Sequence, residues 1–292
     1  MIDNVGFGLS TFVLASPFSD AHADAFDQVA RMGYDVIEVC VEDPEVLSAS
    51  WVAENAARTG LAVSVCGAFG PTRDISSTDP AVRNSARRYL EQCIDFAAVA
   101  GSPHVAGPMY ATTGVARLLP TEERAAQRSR AANGLREVAD YAAGRGVRLA
   151  IEPLNRFETD LVNTLEQGVE LCELIGRPNV GLMIDSFHMN IEEKNIGDVI
   201  RAAADYVFHV QVSENDRGTP GSGHIPWDDY FSALADIDYS GQIVVESFLP
   251  TVEEIARAVS LWRPVAPSMD ALAEDGLRFL QQTLVAYTEQ GR

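Results

Sequence analysis

Positive charge is scarce in this chain: 22 lysines and arginines stand against 42 aspartates and glutamates, for a formal net charge of −20 at pH 7. Such an excess repels phosphate backbones and anionic lipid at long range, so nucleic acid and membrane surfaces are disfavoured as partners. No run reaches the roughly 18 to 20 apolar residues of a spanning helix, and the N-terminus lacks a basic segment followed by an apolar stretch and a small-residue cleavage site. A cytoplasmic protein is the expectation. The four cysteines, Cys40, Cys66, Cys93 and Cys172, show no CxxC spacing. Three of them lie in apolar runs, where free cysteine packs as a small hydrophobe, which suits a reducing compartment. Cys66 ends the strand-like run LAVSVC and is also a candidate to line a site. Gly/Ser or Pro-rich linkers and low-complexity tracts are missing, as is a glycine-rich phosphate fingerprint after the first strand-like run.

What is present is an alternation. Apolar β-type runs near 5–10, 36–41, 61–66, 104–107, 148–152, 180–185, 207–212 and 242–247 are separated by longer amphipathic stretches. The helix candidates lie near 20–32, 45–58, 80–100, 121–145, 163–175, 194–204, 227–236 and 252–262, with an extra C-terminal helix at 268–288. Strands alternating with helices read as a parallel sheet with crossover connections. Eight such units in 292 residues predict an α/β fold, a (β/α)8 TIM barrel forming a single domain over 1–292. Asp79-Pro80 and Pro120-Thr121-Glu122-Glu123 have the cap, proline and early acids of helix starts.

Polar residues stand at the ends of four consecutive strand candidates: Glu152 in RLAIEPLNRFE, Asp185 in GLMIDSFH, Gln211 in FHVQVSEN and Glu246 in IVVESF. Their separations of 33, 26 and 35 residues are each close to one βα unit, roughly 31 residues if about 250 residues make eight. Taken singly, such an acid can equally cap the next helix or pair with a neighbouring Arg, Arg156 for Glu152 or Arg217 for Glu246. Taken together, the four converge on one barrel mouth as hard ligands suited to Mn²⁺, Mg²⁺ or Co²⁺.

Glu152 and Glu246 are then a candidate acid/base pair. A divalent ion holding a sugar carbonyl and its adjacent hydroxyl acidifies the α proton and stabilises the enediolate left when one glutamate removes it. The other glutamate returns a proton. Return to the same carbon inverts it, and return to the neighbouring carbon isomerises. His188, three residues after Asp185, is placed on the following loop to bind substrate oxygen, and Glu158 to accept from substrate hydroxyls. Arg217 would stabilise developing negative charge, or else form a surface pair with Glu214 or Asp216. Glu38 and His209 are placed one layer deeper, behind the ligands.

EPLNRFE at 152–158, IDSFHMNIEE at 184–193, SENDRG then IPWDDYFSAL within 213–234, IVVESF at 243–248 and VSLWRP from 259 together resemble the D-tagatose 3-epimerase group. That group includes the D-psicose (D-allulose) 3-epimerases, among the xylose-isomerase-like TIM barrels, and the likeness spans nearly the whole chain. The resemblance implies a metal-dependent isomerase that epimerises a ketose at C3. It implies metal ligation by Glu152, Asp185, Gln211 and Glu246, with Mn²⁺ or Co²⁺ the usual ion, and the two glutamates as acid and base. Glu158, His188 and Arg217 would hold substrate oxygens, and a homodimer or homotetramer is implied. Two departures stand out. Gln211 replaces the group's usual His, as in the similar hydroxypyruvate isomerases, and aromatic residues at the front of the site are few, leaving Phe7, Phe12, Phe18 and Tyr110 as candidates. A hydroxypyruvate-isomerase-like aldose–ketose isomerase and a lyase acting on 3-oxo-glycosides through the same enolisation are the competing readings.

Overall fold

The computed structural model describes residues 5–289. The eight apolar runs become β1 (Gly6–Ser10), β2 (Val36–Val41), β3 (Ala62–Gly67), β4 (His104–Gly107), β5 (Arg148–Ile151), β6 (Val180–Asp185), β7 (Val207–Val212) and β8 (Gln242–Val245). They close in sequence order into one all-parallel barrel, with β8 returning to β1. The intervening helices are α1 (Ala23–Met32), α2 (Ala49–Thr59), α3 (Pro80–Ala100), α4 (Thr121–Ala143), α5 (Leu165–Ile175), α6 (Ser186–Glu192), α7 (Ile196–Ala202), α8 (Trp227–Asp236) and α9 (Glu253–Ala258). The extra C-terminal helix is α10 (Met269–Glu289). No described helix is long and apolar enough to cross a membrane.

Local chemistry sets these limits. Asp79 accepts the Ala81 N–H at 2.8 Å and Pro80 opens α3, while Gly101, at φ 81°, closes it in a left-handed turn that costs a Cβ-bearing residue about 1 kcal/mol. The sequence places His188 on a loop; the structure places it in α6. Asp185 ends β6 and its carboxylate accepts the Phe187 N–H at 2.8 Å, so the same residue stops the strand and starts the helix.

Alternation divides each strand between two environments. Ile37, Val39 and Val41 of β2, with Val63 and Val65 of β3, face outward and join Leu90, Ile94 and Val52 of the surrounding helices in the main core. Each fully buried Val or Ile contributes roughly 1.5–3 kcal/mol of transfer free energy. The inward positions are unusual for a barrel normally filled by branched apolar residues. Glu38, Ser64, His104 and His209 occupy the centre, all buried. Above them the wall is thin, with Cys40, Cys66, Ala106, Ala150 and Met183. Small side chains at that height leave the barrel mouth hollow.

Gly107, at the top of β4, has φ 128° and accepts the Glu152 N–H at 3.1 Å through its carbonyl. A Cβ there would stand 3.0 Å from the Phe69 ring and 3.1 Å from the Gly67 carbonyl. Gly107→Ala is therefore expected to destabilise the fold by about 1–3 kcal/mol, read as a lower midpoint in denaturant unfolding. An unchanged midpoint would contradict the crowding assigned to this turn.

Candidate active site and metal centre

Register sets the height of the polar residues. Asp185, the last residue of β6, is level with Gln211 on β7, and Gln211 is level with Val244 on β8. Glu152 and Glu246 fall one residue beyond β5 and β8, where the sequence reading extends both strands. Their N–H groups still bond to the Gly107 and Val212 carbonyls at 3.1 Å, after which the ladders stop. Glu152, Glu158, His188, Gln211, Arg217, Glu246 and Cys66 all line one cavity of about 330 Å³ at the C-terminal mouth of the barrel. Asp185 sits against it, 1% exposed, with its carboxylate on Arg217.

Arg217 is central to the electrostatics. It is 3% exposed, and its Nη1 lies 2.5 Å from Asp185 Oδ2 and 3.1 Å from Glu246 Oε2. The surface pairing with Glu214 or Asp216 does not occur. Glu214 instead accepts the N–H groups of Gly221 and Ile225 and the Trp227 indole, and Asp216 faces Arg263. Arg217 adopts φ 65°, with its carbonyl held by Ser247 Oγ at 2.7 Å. A non-glycine residue there costs on the order of 1–3 kcal/mol, a strain typical of functional positions. Burial works against the guanidinium charge, but Asp185, Glu246, Glu158 and Glu152 outweigh it and keep Arg217 protonated.

Burial pushes Glu246 well above the usual carboxylate range; Arg217 opposes this, while Asp185, Glu152 and Glu38 add to it. Burial likewise raises Glu152, opposed by its hydrogen bond from His188. His188 is fixed from behind: the Asn155 backbone N–H and Nδ2 donate to its Nδ1 at 3.1 and 2.9 Å. A backbone N–H only donates, so Nδ1 accepts; Nε2 faces both the Arg217 guanidinium, whose Nη2 is 2.9 Å away, and Glu152 Oε1 at 3.4 Å. Asn155 also donates to Glu158 at 2.8 Å. The pairing of Glu152 with Arg156 is absent; Arg156 reaches Glu192, 2.9 Å away at the surface.

Glu152, Asp185 and His188 each offer a ligand atom, all within 4.8 Å of one another. The fit to a hard cation rests most directly on Gln211. Its Nε2 donates to Glu38 Oε1 at 2.5 Å, which leaves its Oε1 buried with no hydrogen-bond partner. A buried amide oxygen without a partner costs about 1–3 kcal/mol unless something takes it. With the Glu152, Asp185 and Glu246 carboxylates, the donors are all oxygen, the set preferred by Mn²⁺ or Mg²⁺.

Beneath the ligands runs a chain. His209 Nε2 and Ser64 Oγ donate to Glu38 at 2.6 and 2.8 Å, and the Ser64 oxygen accepts from His104 Nε2 at 3.0 Å. Burial raises Glu38, yet the His209 charge and the bonds from His209, Gln211 and Ser64 hold its carboxyl below the usual range. Glu38 is thus an ionised acceptor that decides which way the Gln211 amide faces. Glu38→Gln is expected to weaken Mn²⁺ binding roughly 10–100-fold and to cost about 1–3 kcal/mol. Titration of the metal and denaturant unfolding read the two effects; unchanged affinity would show that Gln211 needs no such support.

The aromatic wall differs from the sequence expectation. Phe7 lies on the outward face of β1 with Leu9, in the core between barrel and helices, and does not line the cavity. Ser10, three residues on, takes the inward register beside Glu38. Phe18 packs against Phe26 and Trp51, and Tyr110 is buried with its hydroxyl on the Val162 carbonyl. Of the four candidates, Phe12 lines the cavity, facing Phe248 with ring centroids 5.0 Å apart. Phe69, Leu154, Met183, Ile255 and Val259 complete the apolar lining, and the Arg217 guanidinium lies 5.2 Å over the Phe248 ring. Phe248 was legible in principle, two residues after Glu246 on the same side of the chain.

Residues 26–283 match the family described as xylose isomerase-like TIM barrel. The chain is 34% identical over 279 residues to a probable ketose 3-epimerase of Synechocystis sp., covering 96% of each chain. Among solved structures, an L-ribulose 3-epimerase superposes with a TM-score of 0.93 at 32% identity, covering 98% of this chain and 97% of that one. A D-allulose 3-epimerase from Methylomonas sp., in complex with D-allulose, gives 0.90 at 29% identity, covering 96% and 97%.

Proposed function

The chain belongs to the xylose isomerase-like TIM-barrel family, and on that footing we propose that it is a divalent-metal-dependent ketose 3-epimerase. The observation that carries this reading is the pair Glu152 and Glu246. These two buried carboxyls line one cavity, both raised towards neutrality by burial. Two carboxyls facing one cavity can take a proton from a substrate carbon and return one, as general acid/base catalysis requires.

Glu152, Asp185, Glu246 and Gln211 through Oε1 would hold the cation, an all-oxygen set that suits Mn²⁺ or Mg²⁺, with Mn²⁺ the ion the family resemblance favours. When bound, the ion supplies Lewis acidity that makes the substrate's C3–H acidic. One glutamate takes the C3 proton and the other delivers a proton to the opposite face, so configuration at C3 inverts. Arg217 offsets the negative charge that develops on the substrate oxygens. His188 turns Nε2 towards a substrate oxygen, and Glu158, held by Asn155, accepts from a substrate hydroxyl. Phe12, Phe248 and Phe69 line the cavity and exclude water from it. Support comes from the named activities of the relatives and from these residues meeting at one mouth.

A hydroxypyruvate-isomerase-like reading is favoured by one residue, Gln211. Incubation of the Mn²⁺-loaded protein with D-fructose, D-psicose, D-tagatose, D-sorbose and D-erythrulose separates the cases by product. A C3 epimer supports the proposal. An aldose, or aglycone release from a 3-oxo-glycoside with no epimer from any ketose, would retire it.

A further inference from the structure

Cys40 and Cys66 adjoin one another in the wall of the cavity. They are Cα partners across β2 and β3, both turned into the barrel interior with Ala106 and Ala150. Cys66 lines the cavity and Cys40 lies fully buried beside it. Neighbouring strands run about 4.8 Å apart, so two side chains in register on one face can converge on a single atom. Ala106, Ala150, Phe12 and Phe248 share one apolar cluster with them, and Phe12 and Phe248 line the cavity beside Cys66.

We propose that Cys40 and Cys66 form a vicinal dithiol site, entered from the cavity, that takes a thiophilic ligand accepting two sulfurs, a trivalent organoarsenical being the chemical class. With an arsenic(III) oxide, two S–H bonds break and two As–S bonds form. The oxide oxygen leaves as water with both protons, and no electrons are transferred. This chemistry suits these thiols. Burial pushes Cys40 up to about 11, and the neighbouring Cys40 together with burial pushes Cys66 well up. Reactions that need a thiolate, such as alkylation or peroxide oxidation, are therefore slow at neutral pH, whereas condensation with the oxide consumes neutral thiols. Cys93 and Cys172 sit on α3 and α5, outside the cavity, and share no such pairing.

The test is intact mass spectrometry of the folded full chain with phenylarsine oxide, followed by peptide mapping, so it reads site occupancy independently of any epimerase activity. The expected result is one phenylarsenic bridge per chain, mapped to the peptides holding Cys40 and Cys66. It should be released by a 1,2-dithiol but not by a monothiol, and be absent from both Cys40→Ala and Cys66→Ala. An adduct that survives either substitution, maps to Cys93 or Cys172, or forms only in urea would overturn the proposal. Because release and mapping are read on the unsubstituted chain, misfolding of a variant leaves the test intact.

Discussion

Glu246→Gln is expected to lower kcat by at least about 10³-fold, because one substitution removes both a proton carrier and a metal-facing carboxylate. The fold should tolerate it. Burial and the neighbouring charges of Asp185 and Glu152 already disfavour the ionised form of Glu246, so a neutral amide of the same shape relieves repulsion. Arg217 keeps Asp185 as a partner at 2.5 Å. The stability of the metal-free variant is therefore expected within about 1 kcal/mol of the parent. Steady-state kinetics and denaturant unfolding on the same preparation separate the two claims. A loss below tenfold would remove Glu246 from the proton transfer.

Chelation carries the second large effect. Dialysis against EDTA is expected to abolish turnover, and Mn²⁺ to restore it. Mn²⁺ at 100-fold excess over its Kd should add about 2.7 kcal/mol of stability, a Tm rise of roughly 5 °C or more for a chain of this size. The pH dependence follows from the direction of the shifts. Glu152 and Glu246 have folded pKa values raised above the unfolded value of about 4.3. The metal-free fold thus binds more protons than the unfolded chain in that window and loses stability as pH rises through it. A bound cation takes the place of those protons. The Mn²⁺-induced rise in Tm is therefore expected to grow from pH 4.5 upward, measured by differential scanning fluorimetry. A shift independent of pH would mean that these two carboxyls are not the ones facing the ion.

Much of this was legible because strand periodicity is a short-range property. β2, β4, β6 and β7 fall on their expected limits, each a short, mainly apolar run bounded by turn residues. The positions of Glu152, Asp185, Gln211 and Glu246 at strand ends follow from the same runs, since a parallel barrel brings all C-terminal ends to one mouth. What failed depends on faces and partners rather than periodicity. Phe7 and Phe12 are both aromatic and near the front of the chain, but the inward parity set by Ser10 against Glu38 turns Phe7 out, and the 3₁₀ turn Thr11–Val13 turns Phe12 in. Arg217 lies among Glu214, Asn215 and Asp216, so proximity in sequence favours a local ion pair. Its left-handed backbone instead carries the guanidinium across to Asp185 and Glu246. Nor does any local pattern reveal that Gln211 and His209 would share Glu38, 173 and 171 residues away.

Reversible proton transfer at C3 between Glu152 and Glu246 is the step on which the proposed epimerisation depends. The direct measurement is NMR of a ketose substrate incubated in D₂O with the Mn²⁺-loaded protein, following label at each carbon before equilibrium is reached. The account predicts deuterium at C3, appearing together with the C3 epimer and lost in Glu246→Gln. Label at C1 with an aldose product, or epimer formed with C3 still carrying its original proton, would contradict it.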